Sequence, residues 1–174
     1  MSLAPATRKV LGDELRQFLG DEKFEAFRSF QQAHQPVVFV GPYEHHSNEV
    51  TWRQGLATVV EVNLAPDGGV DLEHLQHLLR LPEYQGRLRI GSFSAASNVT
   101  GMRSPTRAIA RLLHANDAYA CFDYAASAPY VEIDMNPAPD AEGGDASYDA
   151  VFLSPHKFIG GPGSSGVLVF NERL

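Results

Sequence analysis

The chain has 174 residues, a formal net charge of −7 and an apolar share of 44%, which suits one globular domain with a buried core. Its 14 basic residues are scattered rather than clustered, which excludes a nucleic-acid surface built on a basic patch, and no apolar run is long enough to span a bilayer. Cys121 is the only cysteine, so no internal disulfide forms, and the start Met1-Ser2-Leu3-Ala4-Pro5 lacks the regions of a signal peptide; both set a cytoplasmic expectation.

In chain order, apolar positions at helical spacing (Val10, Leu11, Leu15, Phe18, Leu19, then Phe24 and Phe27) predict helix over 7–34, broken near Gly20. Pro36 ends that region, and Val37-Val38-Phe39-Val40 follows as a fully apolar strand. A second strand is expected over 59–64, closed by the turn Pro66-Asp67-Gly68-Gly69. Asp71 is placed to cap a helix carrying Leu72, Leu75, Leu78 and Leu79. A third strand is expected over 88–93. Ser104 then caps a helix with Pro105 in its first turn and Ile109, Leu112 and Leu113 inside. Strands over 119–122, 150–153 and 166–170 complete the set. This alternation predicts an α/β fold, a mostly parallel sheet with helices on both faces. Residues 136–147, rich in Pro, Gly and polar groups, are expected to form an exposed, mobile loop.

The chemistry concentrates in Ser154-Pro155-His156-Lys157-Phe158-Ile159-Gly160-Gly161-Pro162-Gly163. Lys157 stands at the end of the apolar run 150–153, before a glycine-rich turn that lets backbone and ligand approach closely. An amine in apolar surroundings gives up its charge more readily, and a neutral amine attacks carbonyls. The plainer alternative is a surface lysine reaching into water. Ligands of parallel sheets bind beyond the carboxyl ends of the strands. His45 after strand one, Asn98 after strand three, Asp123 after strand four and Lys157 after strand five all fall there. Taken singly, Asp123 also reads as the cap of the next turn, Asn98 as a turn residue and His46 as a partly exposed loop histidine. No Cys/His/carboxylate set surrounds the two histidines at ligand spacing, so no metal is expected.

Four segments together resemble one family. Glu44-His45-His46-Ser47-Asn48, Ser97-Asn98-Val99-Thr100-Gly101, Phe122-Asp123-Tyr124-Ala125-Ala126-Ser127-Ala128-Pro129 and the lysine segment follow the order found in class V aminotransferases and cysteine desulfurases, including selenocysteine lyase-like members. Those enzymes use pyridoxal 5′-phosphate. The resemblance implies the large domain of an aspartate aminotransferase-like fold, incomplete here. It makes Lys157 the residue of the cofactor Schiff base and the base for the substrate α-proton, and puts Asp123 at the pyridine nitrogen. His45 would lie on the ring face, Ser154 and His156 at the phosphate, and Asn98 at the 3′-oxygen or the substrate carboxylate.

The sequence departs from the family in places. Ala126 and Tyr130, read as buried, stand where the family usually has a glutamine and a histidine, with Tyr124 or Ser127 as possible substitutes. No glycine- and serine/threonine-rich phosphate loop occurs in residues 1–44, and the family's smaller C-terminal domain is absent. The expectation is therefore a piece of a longer enzyme: a helical N-terminal segment over 1–35 and a partial cofactor-binding domain over 36–174. The implied function is that of an enzyme acting on a small amino-acid substrate, of aminotransferase or cysteine desulfurase/lyase type, working as a homodimer without nucleic-acid or membrane partners. The alternative is a non-catalytic remnant of the same fold that no longer binds cofactor. A nucleotide-binding module is a third reading, but neither Gly-x-Gly-x-x-Gly nor a P-loop pattern follows the first strand.

Overall fold

The computed structural model describes residues 5–174; Met1–Ala4, on which the reading of the chain's start largely rests, lie outside the described residues. Helices α1 (Pro5–Leu19) and α2 (Asp21–His34) lean on each other. Gly20 turns the chain between them at φ 75°. The apolar residues expected to seek a core, Val10, Phe18 and Phe27 among them, stay exposed on this pair. Among the described residues no helix is long and apolar enough to cross a membrane.

The sheet is built from β1 (Val37–Val40), β2 (Thr58–Glu61), β3 (Arg89–Ser94), β4 (Tyr119–Asp123), β5 (Ala150–Leu153) and β6 (Val167–Phe170), in the spatial order β2-β1-β3-β4-β5-β6. The pairs among β1 to β5 are parallel, and β6 returns antiparallel along β5. All four residues of β1 are fully buried, as an apolar strand covered on both faces requires. All four residues of β6, Val167 to Phe170, stay exposed.

Helices α4 (Leu72–Leu79) and α5 (Thr106–His114) cover one face. Leu75, Leu79, Ile109 and Leu113 bury there with Val37, Phe39, Phe93 and Phe122. Gly91 makes this closeness possible, because a Cβ at that position would lie 2.4 Å from Leu113 Cδ1. Asp71 caps α4 as expected, accepting from His74 N at 2.9 Å. Ser104 does not cap α5. Its buried hydroxyl donates to Ser94 O at 2.5 Å, Tyr43 Oη lies 2.9 Å from it, and Pro105 takes the N-cap position.

The other face carries α3 (His46–Arg53). The sequence reading placed no helix there, because His46-Ser47-Asn48-Glu49-Val50-Thr51-Trp52-Arg53 offers no apolar stripe. Polar contacts hold it: Trp52 Nε1 donates to Ser92 Oγ at 3.1 Å, and Ser92 Oγ donates to Asn48 Oδ1 at 2.7 Å.

The loop 136–147 is largely exposed, as expected, but it is not free. Arg107 donates to Ala146 O at 2.9 Å, and Arg111 to Gly143 O at 2.9 Å and Glu142 at 2.7 Å. At the amino ends of β4 and β5 a charged clasp closes the loop and the chain's last turn. Asp149, fully buried, takes His114 Nε2 at 2.9 Å and Ala120 N at 2.6 Å, and is paired with Arg173. Asp145 pairs with Arg173 at 2.8 Å and its carbonyl faces His114 Nδ1 at 2.9 Å.

Burial alone would lower the His114 pKa, but bonds to Asp149 and Asp145 outweigh it and raise the net value. Burial would raise that of Asp149, but His114, Ala120 N–H and Arg173 pull it down. The Ser147 hydroxyl and Arg173 hold Asp145 well below the usual carboxylate range. The raised histidine stabilises the fold fully below its unfolded pKa and loses that contribution as pH rises through the folded value. The depressed carboxylates contribute above their unfolded pKa and lose it as pH falls. The clasp is therefore strongest between about pH 4 and about pH 6.5. Urea-unfolding midpoints of the chain, relative to His114→Gln on the alkaline limb and Asp149→Asn on the acid limb, are expected to show the largest gap in that window. A gap independent of pH would contradict the clasp.

Candidate active site

Parallel pairing sends the carboxyl ends of β1, β3, β4 and β5 to the same edge of the sheet, and a cleft of about 460 Å³ opens there. Its lining includes His45, Asn98, Asp123, Ser154, His156 and Lys157, all six residues singled out from the sequence. His46 is not in the lining. Ser47, Ser94, Ala96, Ala125 and Ala126 complete the wall. An adjoining hollow of about 340 Å³ continues past Asp123 and Ser154 to Thr51, Trp52 and Phe152.

Asp123 is the last residue of β4 and is 9% exposed. Its Oδ1 accepts from Ala125 N at 2.8 Å, so the turn-capping reading holds for one oxygen. Among the described residues the other oxygen has no hydrogen-bond partner. Lys157 ends a short 3₁₀ turn, Pro155–Lys157, and its N–H bonds Ser154 O at 2.9 Å. It is exposed, so the apolar surroundings expected around its stem are not present in this chain. Gly161 follows because a Cβ there would lie 2.0 Å from Pro155 O; the chain folds back against the turn that carries the lysine.

His45 is the N-cap of α3. Ser47 N–H points at its Nδ1 at 3.3 Å, and Ser47 Oγ lies 2.8 Å away. A nitrogen that receives a backbone N–H carries no proton. The hydrogen-bond network therefore assigns the neutral ring a proton on Nε2, which has no partner among the described residues. Asn98 is exposed in a turn held by Ser97, whose Oγ accepts from Val99 N and Thr100 N at 3.2 Å each.

The places where the family usually has polar groups differ. Ala126 lines the cleft, whereas Tyr130, read as buried, is 82% exposed. Neither suggested substitute reaches the lining. Tyr124 Oη donates to Tyr148 Oη at 3.3 Å within the core, and Ser127 Oγ is buried without a partner among the described residues.

Sequence reasoning missed Ser94 and the group beneath it. Glu44 accepts from Gly41 N at 3.1 Å and Ser94 N at 2.8 Å through Oε1, and from Asn48 Nδ2 at 2.6 Å and Ser94 Oγ at 2.7 Å through Oε2. Burial lifts its pKa above the ordinary carboxylate value, while these donors restrain the rise. Ser92 and Ser94 alternating with Phe93 were the available signal for a polar surface on that side of β3.

Residues 26–174 match the family Aminotransferase class-V. The chain belongs to that family. A probable cysteine desulfurase of Halalkalibacterium halodurans is 30% identical over 135 residues, which are 75% of this chain and 30% of that protein. One from Chlamydia muridarum is 36% identical over 91 residues, 50% of this chain and 22% of that protein. The chain thus spans about 30% or less of the length of these relatives. The cysteine desulfurase CsdA of Escherichia coli superposes with a TM-score of 0.65 at 26% identity, covering 82% of this chain and 34% of that one. The structure titled SPT with its pyridoxal phosphate internal aldimine superposes at 0.62 and 19% identity, over 82% and 34%, and shares the fold. Class V aminotransferases use pyridoxal 5′-phosphate.

Cys121 does not supply a nucleophilic thiol. It is buried in β4, and burial, with the Asp149 charge adding to it, pushes its thiol up to about 12. The thiolate is the reactive form. At pH 8 a thiol reagent such as an aromatic disulfide is expected to leave the folded chain unmodified and to react fully in denaturant; rapid reaction in the folded state would contradict this placement.

Proposed function

We propose that the cleft is a pyridoxal 5′-phosphate site and that the chain is the cofactor-binding part of an enzyme acting on an amino acid, in the cysteine desulfurase and lyase branch of the family. The observation that carries this reading is one cleft in which a primary amine, Lys157, and a buried carboxylate with an unpartnered oxygen, Asp123, stand with Ser154, His156, His45 and Asn98. That donor set fits the cofactor: an amine for its aldehyde, a carboxylate for its ring nitrogen, and hydroxyl and N–H donors for its phosphate. Bound there, the cofactor supplies an electron sink for negative charge at the substrate α-carbon.

The chain's own residues do the rest. Asp123, steadied through Oδ1 by the Ala125 N–H, would keep a proton on the ring nitrogen with its other oxygen. Lys157 Nζ would hold the cofactor through its aldehyde and would be the base for the substrate α-proton. His45, in the cleft lining, would pack on the ring with its Nε2–H free to donate. Ser154 and His156 would donate to the phosphate, and Asn98 would serve the 3′-oxygen or the substrate carboxylate. Residues 36–174 form the cofactor-binding domain in this reading, with the helical pair before it as a separate segment. The alternative of a remnant without cofactor finds no support in a cleft that keeps all six residues together.

The chain has two other lysines, Lys9 and Lys23, which makes the test clean. Borohydride reduction with pyridoxal 5′-phosphate, followed by peptide mapping, is expected to label Lys157, and the label is expected to vanish in Lys157→Ala. Label shared equally with Lys9 and Lys23, or unchanged in the variant, would contradict the proposal.

A further inference from the structure

Glu44 is not in the lining of the cleft, and nothing in the chemistry above uses it. Yet it is the best-bonded side chain near the site. Its four donors come from three elements: Gly41 N–H from the end of β1, the Ser94 N–H and hydroxyl from the end of β3, and the Asn48 amide from α3. Asn48 extends the network, donating to Ser92 O at 3.3 Å while its Oδ1 receives Ser92 Oγ at 2.7 Å. Every lone-pair direction of the carboxylate is engaged, so it has no capacity left to act as acid or base on a ligand.

A half-buried carboxylate fed by donors alone is costly to remove, because donors such as the buried Asn48 amide and Ser94 hydroxyl then lose their partner. Its position in the chain says what it fixes. His45 follows it directly and caps the helix that Asn48 anchors. The His45 ring is locked to Ser47, so it moves with the start of α3. Without Glu44, neither β1 nor β3 is tied to that helix start through a charged group.

We propose that Glu44 is the positioning residue that holds His45 against the cleft, acting through the first turn of α3 without touching the cofactor. This rests on the reading of the cleft as a pyridoxal 5′-phosphate site. It also singles out an informative substitution. In Glu44→Gln the amide oxygen keeps the two backbone donors, while the amide nitrogen faces the Asn48 amide, donor against donor. The β1–β3 tie survives and the tie to α3 is lost.

The test is a double-mutant cycle on the full chain, with pyridoxal 5′-phosphate itself as probe and binding read by quenching of Trp52, the single tryptophan, which lines the adjoining hollow. Glu44→Gln is expected to weaken binding about tenfold in the otherwise unaltered chain and less than about twofold when His45 is already alanine, because residues acting as a unit are not additive. Asn48→Ala is expected to show the same coupling, and thermal midpoints of all variants establish that they fold. Equal losses with and without His45 would overturn the proposal and leave Glu44 a stabilising residue only. An unaltered chain that shows no Lys157 label would overturn the cofactor reading itself, and the positioning role with it; a label with equal losses sinks the positioning role alone.

Discussion

Parallel pairing of β1, β3, β4 and β5 is the constraint on which the rest of the molecule depends. β1, covered on both faces, is apolar along its whole length and carries no chemistry there. Reactive groups are pushed to the strand ends, and parallel pairing gathers the carboxyl ends on one edge. The register makes this concrete: Val40 lies beside Ser92, and Ser94 beside Asp123. The loops after three strands therefore start at neighbouring positions, and the segments that carry His45, Asn98 and Asp123 are brought together although they are far apart in sequence.

The two ends of the sheet solve different problems with charge. At the amino ends of β4 and β5, Asp149 and Asp145 are matched by Arg173 and His114, and the cations are used up within the protein. At the carboxyl edge Asp123 makes no ion pair among the described residues, and Lys157 is exposed. A buried carboxylate with one oxygen unpartnered among the described residues, and an exposed amine in the same cleft, are the features of a site that completes itself with a ligand. Glu44 differs from both, being satisfied by neutral donors alone, which suits a group whose task is to hold backbone in place.

Much of this was legible in the sequence, for identifiable reasons. The strands were found because Val37–Val40 and Ala150–Leu153 are unbroken apolar runs, and the edge residues because topology assigns them their place. α3 was missed because it is held to the sheet by Trp52, Asn48 and Ser92 rather than by an apolar face, and periodicity detects only the latter. Ser104 is not the cap because its hydroxyl is held between Ser94 O and Tyr43 Oη and the helix starts one residue later, after Pro105. The exposure of Lys157 was not legible either, since burial of a side chain at a strand end depends on elements packed around it and not on the strand. That β6 runs antiparallel follows from the link before it, a glycine-rich segment without a helix; a parallel return requires a crossover.

The central claim is that Asp123 and Lys157 face one ligand, and the structure of the chain crystallised with pyridoxal 5′-phosphate tests it most directly. The account predicts the ring in the cleft, covalently joined to Lys157 Nζ, with the unpartnered oxygen of Asp123 at the ring nitrogen. A ring bound elsewhere, or one in the cleft with its nitrogen turned away from Asp123, would contradict it.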